Sequence, residues 1–191
     1  MKIKIIFLEL CILFPAAVVD AAPGVVVLSP VANGNSDSIG PFQIQQGALT
    51  SMRYQEVHAF SEGSAALPGG GIITQMRYRL DTSSINYLRT IASIQINLSI
   101  TPRAPDQLSA TFADNVGVNE TVVFGPGPLT LSSIGSGSPD ITVPFSQGFY
   151  YNPAAGNLLI DVRNFVAAPF DSLNIHAYDA QSTVGDSVSR V

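Results

Sequence analysis

Tryptophan is absent from this chain, cysteine occurs once and histidine twice. Charged residues make up 12% of it, about half the usual globular share. Each scarcity removes a class of chemistry. The one cysteine, Cys11, has no partner for an internal disulfide, and it sits in an apolar leader with both lysines, Lys2 and Lys4. Once that leader is cut, the chain holds no thiol, and arginine is its strong base. Disulfide staples, thiolate metal sites and cysteine nucleophiles are then excluded. A formal net charge of −5 without a basic stripe speaks against a nucleic-acid partner.

The leader has the parts of a signal peptide. Met1-Lys2-Ile3-Lys4 is a basic start, Ile5 to Val19 an apolar run, and Val19-Asp20-Ala21 a small-residue cleavage site. Residues 1–21 are read as the signal peptide and 22–191 as one domain. Pro15 interrupts a run shorter than the about 20 apolar residues a membrane helix needs, so no span is expected after cleavage. Leu10 before Cys11 does not fit a lipoprotein site. The expected location is secreted or in the cell envelope.

What the chain does have is apolar residues, 46% of the total, broken by 16 glycines and 13 prolines. That mixture fits short strands joined by turns. The clearest stretch is Gly148–Phe165. Asn152-Pro153 and Gly156-Asn157 frame a turn, after which Leu158, Ile160 and Val162 alternate with Leu159, Asp161 and Arg163 as in a half-buried antiparallel strand. Ile94, Ile96, Leu98 and Ile100 form the most regular alternation. Ser51 to Phe60 places Gln55, Val57 and Ala59 on one face and Tyr54, Glu56, His58 and Phe60 on the other. Ile72 to Leu80 predicts Ile72, Thr74, Met76, Tyr78 and Leu80 together, opposite Ile73, Gln75, Arg77 and Arg79.

Further strands are expected at Val25–Leu28, around Phe42 and Ile44, at Thr121–Phe124, Leu129–Leu131, Ile141–Phe145 and Leu173–Ala177. Glu62–Gly71 and Gly125–Pro128 read as loops. One short helix is predicted over Asp106–Asn115, with Asp106 as cap and Gly117 as stop. About nine or ten short strands without a repeat predict an all-β fold, a two-sheet antiparallel sandwich of jelly-roll type. An immunoglobulin-like sandwich is the alternative, weakened by the missing cysteine and tryptophan.

Chemistry-bearing residues are sparse. The serine-hydrolase elbow, the zincin motif and the nucleotide loops are all missing, so no catalytic or cofactor-binding residue is assigned. His58 and His176 lie on separate strands and read as packed or surface histidines. Asp171, Asp179 and Asp186, with Ser172, Asn174 and Ser182, are candidate structural calcium ligands or ordinary turn residues, and the metal assignment stays unknown. Glu56, Asp81 and Asp161 are the carboxylates from which a glycosidase would draw its pair, and nothing in their spacing selects one. Asp161 and Arg163 read more simply as structural polar partners. Tyr150-Tyr151 is either a binding platform or a cover on the core.

Several stretches carry a family resemblance: Met52–Val57, Gly71–Arg79, Ile94–Ser99, Leu108–Gly117, Val122–Phe124 with Leu129–Leu131, and above all Pro153–Arg163. They resemble secreted bacterial proteins of the PEP-CTERM type, which end in a Pro-Glu-Pro sorting tail. The resemblance implies an exported envelope or extracellular domain and no named activity. Relatives continue past the segment matching Gly185–Val191 into further β-structure and the tail, so a shortened copy lacking the anchor is expected. The functional expectation is an exported, non-enzymatic surface or matrix domain that binds extracellular polysaccharide or envelope proteins. The alternative is a secreted carbohydrate-active hydrolase.

Overall fold

Alternation in β4 (Tyr87–Thr101) and β7 (Asn157–Asn164) builds the centre of the protein, because both strands turn an isoleucine-, leucine- and valine-rich face the same way. The computed structural model describes residues 37–38, 41–42, 51–64, 67–79, 87–134, 139–165, 178–179, 185 and 188–191. The expected signal peptide, the strands at Val25–Leu28 and Leu173–Ala177, and Asp81, Asp171, His176 and Asp186 lie outside these residues.

Within them β4 and β7 join β2 (Met52–His58), β5 (Thr121–Ser133) and β9 (Val188–Arg190) in a five-stranded sheet ordered β5-β4-β7-β2-β9. A second sheet pairs β3 (Gly71–Tyr78) with β6 (Ile141–Tyr151), and β1 (Asp37–Ser38) meets β8 (Tyr178–Asp179) over two residues. Every pairing is antiparallel. The described strands do not close into a barrel.

Both larger sheets feed one core. Ile91, Ile94, Ile96 and Leu98 of β4, Val123, Leu129 and Leu131 of β5, and Ile160 and Val162 of β7 meet Ile141, Val143, Phe149 and Tyr151 of β6. Burying each of the larger aliphatic chains contributes about 1.5–3 kcal/mol. Phe42 closes the cluster and meets the Tyr78 ring edge-on, with centroids 5.1 Å apart.

The expected helix over Asp106–Asn115 is not there. A single 3-10 turn at Phe112–Asn115 remains, and Asp106 lies in the left-handed region at φ 62°. Asp106 is held there by the chain's last described segment: its amide donates to Ser189 Oγ, and its carboxylate accepts from the Gly185 amide. A tertiary contact thus breaks a weak local helix signal. Among the described residues the one α-helix is α1 (Phe60–Ser64), in the stretch expected to begin a loop, and Asn157 Oδ1 accepts its first amide at 2.8 Å.

Two further expectations change through bulges. β5 runs unbroken across Gly125–Pro128, where a loop was expected, with its register against β4 shifting around Ile94 and Ile96. Gly125 makes this possible: it has φ +76°, and a Cβ there would sit 2.1 Å from the Ile94 carbonyl oxygen. In β3 the shift between Ile73 and Gln75 reverses the facing pattern, so Ile73, Met76 and Tyr78 pack inward while Ile72 is 68% exposed. Strict period-two reading had placed Ile72 with Met76 and Tyr78.

Candidate functional site

The second face of the five-stranded sheet is polar and buried. Register places Arg53, Gln55 and Val57 of β2 beside Arg163, Asp161 and Leu159 of β7, and these beside Gln95, Asn97 and Ser99 of β4. The β4–β5 connection, residues 102–120, lies over them. Both faces of β7 are therefore covered, where the alternation suggested a half-buried strand. Leu159 is fully buried and Asp161 is 2% exposed.

Asp161 is the hub. Arg53 grips it with two donors, Nε to Oδ1 at 3.0 Å and Nη2 to Oδ2 at 2.5 Å. Gln55 Nε2 and Arg163 Nη2 add bonds to Oδ2 at 3.1 and 2.8 Å. Burial alone would raise the Asp161 pKa, but the hydrogen bonds from Arg53, Arg163 and Gln55 outweigh it and hold the carboxyl below its ordinary range. Arg163 is raised in turn, chiefly by its hydrogen bond to Asp161.

The network continues to both sides. Arg163 Nη2 and Asn97 Nδ2 both donate to Glu120 Oε1, and Gln95 Nε2 donates to Asn97 Oδ1. On the β2 side Gln55 donates to the Phe112 carbonyl and accepts from Asn115 Nδ2 at 2.8 Å. Asn115, fully buried, also donates to the Ser109 carbonyl and accepts the Ser109 amide. The Arg53 guanidinium stacks 5.0 Å from the Phe112 ring centroid.

Glu56 lies on the other side of the sheet. Its register partner is Ile160, whereas that of Asp161 is Gln55, so the two carboxylates point to opposite faces. Glu56 accepts from Tyr54 OH at 2.9 Å, and His58 Nε2 lies 2.6 Å from Oε1. Burial pushes the Glu56 pKa up, but His58, Tyr54 and Arg190 prevail and lower it. Tyr54 and Tyr78 are pushed above the usual phenol value, first by burial and then by the Glu56 charge.

Of the three candidates for a glycosidase pair, Asp81 lies outside the described residues, and Glu56 and Asp161 do not meet. The carboxylate that approaches Asp161 is Glu120, since both accept from the same Arg163 nitrogen. That arrangement suits neutralisation rather than proton transfer, because a general acid needs a raised pKa and that of Asp161 is lowered. Among the described residues no three His, Cys, Asp or Glu side chains gather as metal ligands. Of the candidate calcium ligands, Asp179 falls in β8 opposite Asp37, and Asp171 and Asp186 are outside the described residues.

Tyr150 and Tyr151 part company. Tyr151 turns into the core and donates to the Gly156 carbonyl at 3.1 Å; burial raises its pKa to about 12. Tyr150 is 58% exposed on the outer face, opposite exposed Ile72, with its hydroxyl donating to the Gly69 carbonyl. Further along that face stand Gln75 and Arg77, opposite Pro144 and Thr142. With its oxygen turned toward Arg77, the Gln75 amide accepts from Nη2 and Nε at 3.2 and 3.3 Å.

Sequence reading passed over Arg53, Gln55, Asn115 and Glu120. The available signal was Arg53 and Gln55 alternating on the apolar side of β2, together with Asn97 in the most regular strand. Comparison with protein-family models, curated proteins and solved structures finds no match to this chain. Function therefore has to be argued from the residues themselves.

Proposed function

We propose that this chain is a non-enzymatic domain exported to the cell surface or extracellular matrix, where it binds polysaccharide. The architecture we read into it is a two-sheet sandwich of jelly-roll type, with β3–β6 as part of the smaller sheet. The observation that carries the non-enzymatic reading is the state of the carboxylates. Asp161 takes four hydrogen bonds from three side chains, and Glu56 is engaged by Tyr54 and His58 on the opposite face. Carboxylates held ionised by structural partners are poor general acids. The exposed Tyr150–Ile72 pair supports binding, since tyrosine offers a rigid, amphipathic contact surface.

Native gel electrophoresis through embedded polysaccharides tests the reading. The expected result is retardation by at least one polysaccharide, with no reducing ends released on prolonged incubation. Steady release of reducing ends by the wild-type chain, lost in Glu120→Gln, would favour a hydrolase instead. Migration unchanged by every polysaccharide would remove glycan binding.

A further inference from the structure

The geometry points to an acidic, uronate-bearing polysaccharide as the ligand of the outer β3–β6 face, with Tyr150 and Ile72 contacting sugar rings and Arg77 pairing a carboxylate. This rests on the polysaccharide-binding reading and names its substrate class. The bulge between Ile73 and Gln75 is what puts the four residues on one side. Ile72 and Tyr150 are register partners, both more than half exposed, and Gln75 and Arg77 follow on the same face. From Ile72 to Arg77 the strand runs about 16 Å at a rise of about 3.3 Å per residue, enough for a run of sugar rings along it.

Gly148 helps to make the surface a shelf. A Cβ there would lie 2.4 Å from Ile72 Cγ2, so the Ile72 side chain rests directly on the β6 backbone. With its oxygen turned toward Arg77, Gln75 takes bonds from Nε and Nη2, which limits the rotation of the guanidinium and leaves its Nη1 edge for a ligand carboxylate. Neither β3 nor β6 carries an acidic side chain, and Asp140, just before β6, accepts from Ser133 Oγ and the Ile134 amide. Arg77 is thus the one charged residue of these two strands, although the chain carries −5 overall. At physiological salt the Debye length is about 8 Å, so an anion on this face senses Arg77 more than the distant net charge.

The test uses affinity gels containing alginate, a polyuronate, or dextran, a neutral glucan, run near 0.15 M salt. Wild type is expected to be retarded by alginate and little by dextran. Arg77→Gln is expected to weaken alginate binding about tenfold or more, the loss of one charge-assisted pair. Arg77→Lys, which keeps the charge without the fork, should fall between them. Tyr150→Ala and Ile72→Ser should weaken binding, whereas Leu88→Ser, exposed on β4 of the other sheet, should not. Circular dichroism and melting curves matching wild type keep the comparison valid, and the Lys variant stands in if Gln misfolds.

Retardation by dextran and not alginate would overturn the uronate inference while leaving polysaccharide binding intact. So would alginate binding that Arg77→Gln and Tyr150→Ala leave unchanged. Retardation by neither polymer would overturn the inference, with other polysaccharides in the panel deciding the broader reading. A dimer that Ile72→Ser dissolves would mean that a second copy covers this face, and would also overturn it.

Discussion

The two faces of the five-stranded sheet are built from the same strands by opposite means. Toward β3–β6, Ile94, Ile96, Leu98, Ile160 and Val162 interlock through apolar contacts, and the polar trio Tyr54, Glu56 and His58 is confined to β2 at one side. Toward the 102–120 connection, Asn97, Asp161 and Gln55 are just as buried, at 2% exposure or less, and are held by hydrogen bonds. Apolar packing is non-directional and accepts any neighbour of suitable volume. A buried carboxylate accepts only donors at the right positions, so the polar face selects the path of the overlying connection. The apolar face supplies stability and the polar face supplies uniqueness.

That division is sharpest where substitution effects should be largest. Ile96→Ala leaves a cavity in the apolar face and is expected to lower stability by about 4 kcal/mol, read as a shift in denaturation midpoint at unchanged m. Asp161→Asn is expected to lose about 3 kcal/mol, because it leaves Arg53 against an uncharged amide and Arg163 with Glu120 alone. Restoring apolar groups on both sides, as in Arg53→Met with Asp161→Leu, should recover much of that loss; no recovery would mean that the polar face contributes stability directly. The pH dependence separates the faces further. The Asp161 pKa is lowered in the folded state, so its contribution is present above the unfolded value, about 3.9, and is lost as pH falls through the folded value. Urea denaturation between about pH 5 and pH 2 should show a shallower decline in Asp161→Asn than in wild type, while Ile96→Ala should keep the wild-type slope.

The apolar face was legible in the sequence because period-two alternation reports which residues share a side. Leu158, Ile160 and Val162 fell where the pattern put them, as did Ile94, Ile96 and Leu98. The polar face was not legible, since Gln55, Asn97 and Asp161 look the same whether they meet water or one another. What separates the cases is the 102–120 connection, and its path depends on Asp106 binding Gly185 and Ser189 far away in sequence. The outer β3 face was misread for a related reason. Alternation holds only while register holds, and the bulge at Ile73–Gln75 moved Ile72 from the core group to the surface.

Smaller effects probe how finely each face is tuned. Asn115→Ala removes the amide that serves both Gln55 and Ser109, leaving buried groups unpaired, and about 2 kcal/mol of destabilisation is expected. Native-state hydrogen exchange should locate that loss in the 102–120 connection, with amides of β4 and β7 staying protected. Equal loosening of the central strands would mean that the polar face and the apolar core open as one unit.

The smallest effect falls on the inward-facing tyrosine of β6. Tyr151→Phe loses one hydroxyl bond to Gly156 and should cost about 1 kcal/mol at neutral pH. Its signature is alkaline. The Tyr151 pKa is raised to about 12, above the unfolded value of about 10, so its contribution is complete below the unfolded pKa and fades as pH rises through the folded one. Stability measured from about pH 9 to pH 12 should therefore fall less steeply in Tyr151→Phe than in wild type. Parallel curves for the two proteins would mean that the Tyr151 hydroxyl is open to water, and that the end of β6 does not separate an inner face from an outer one.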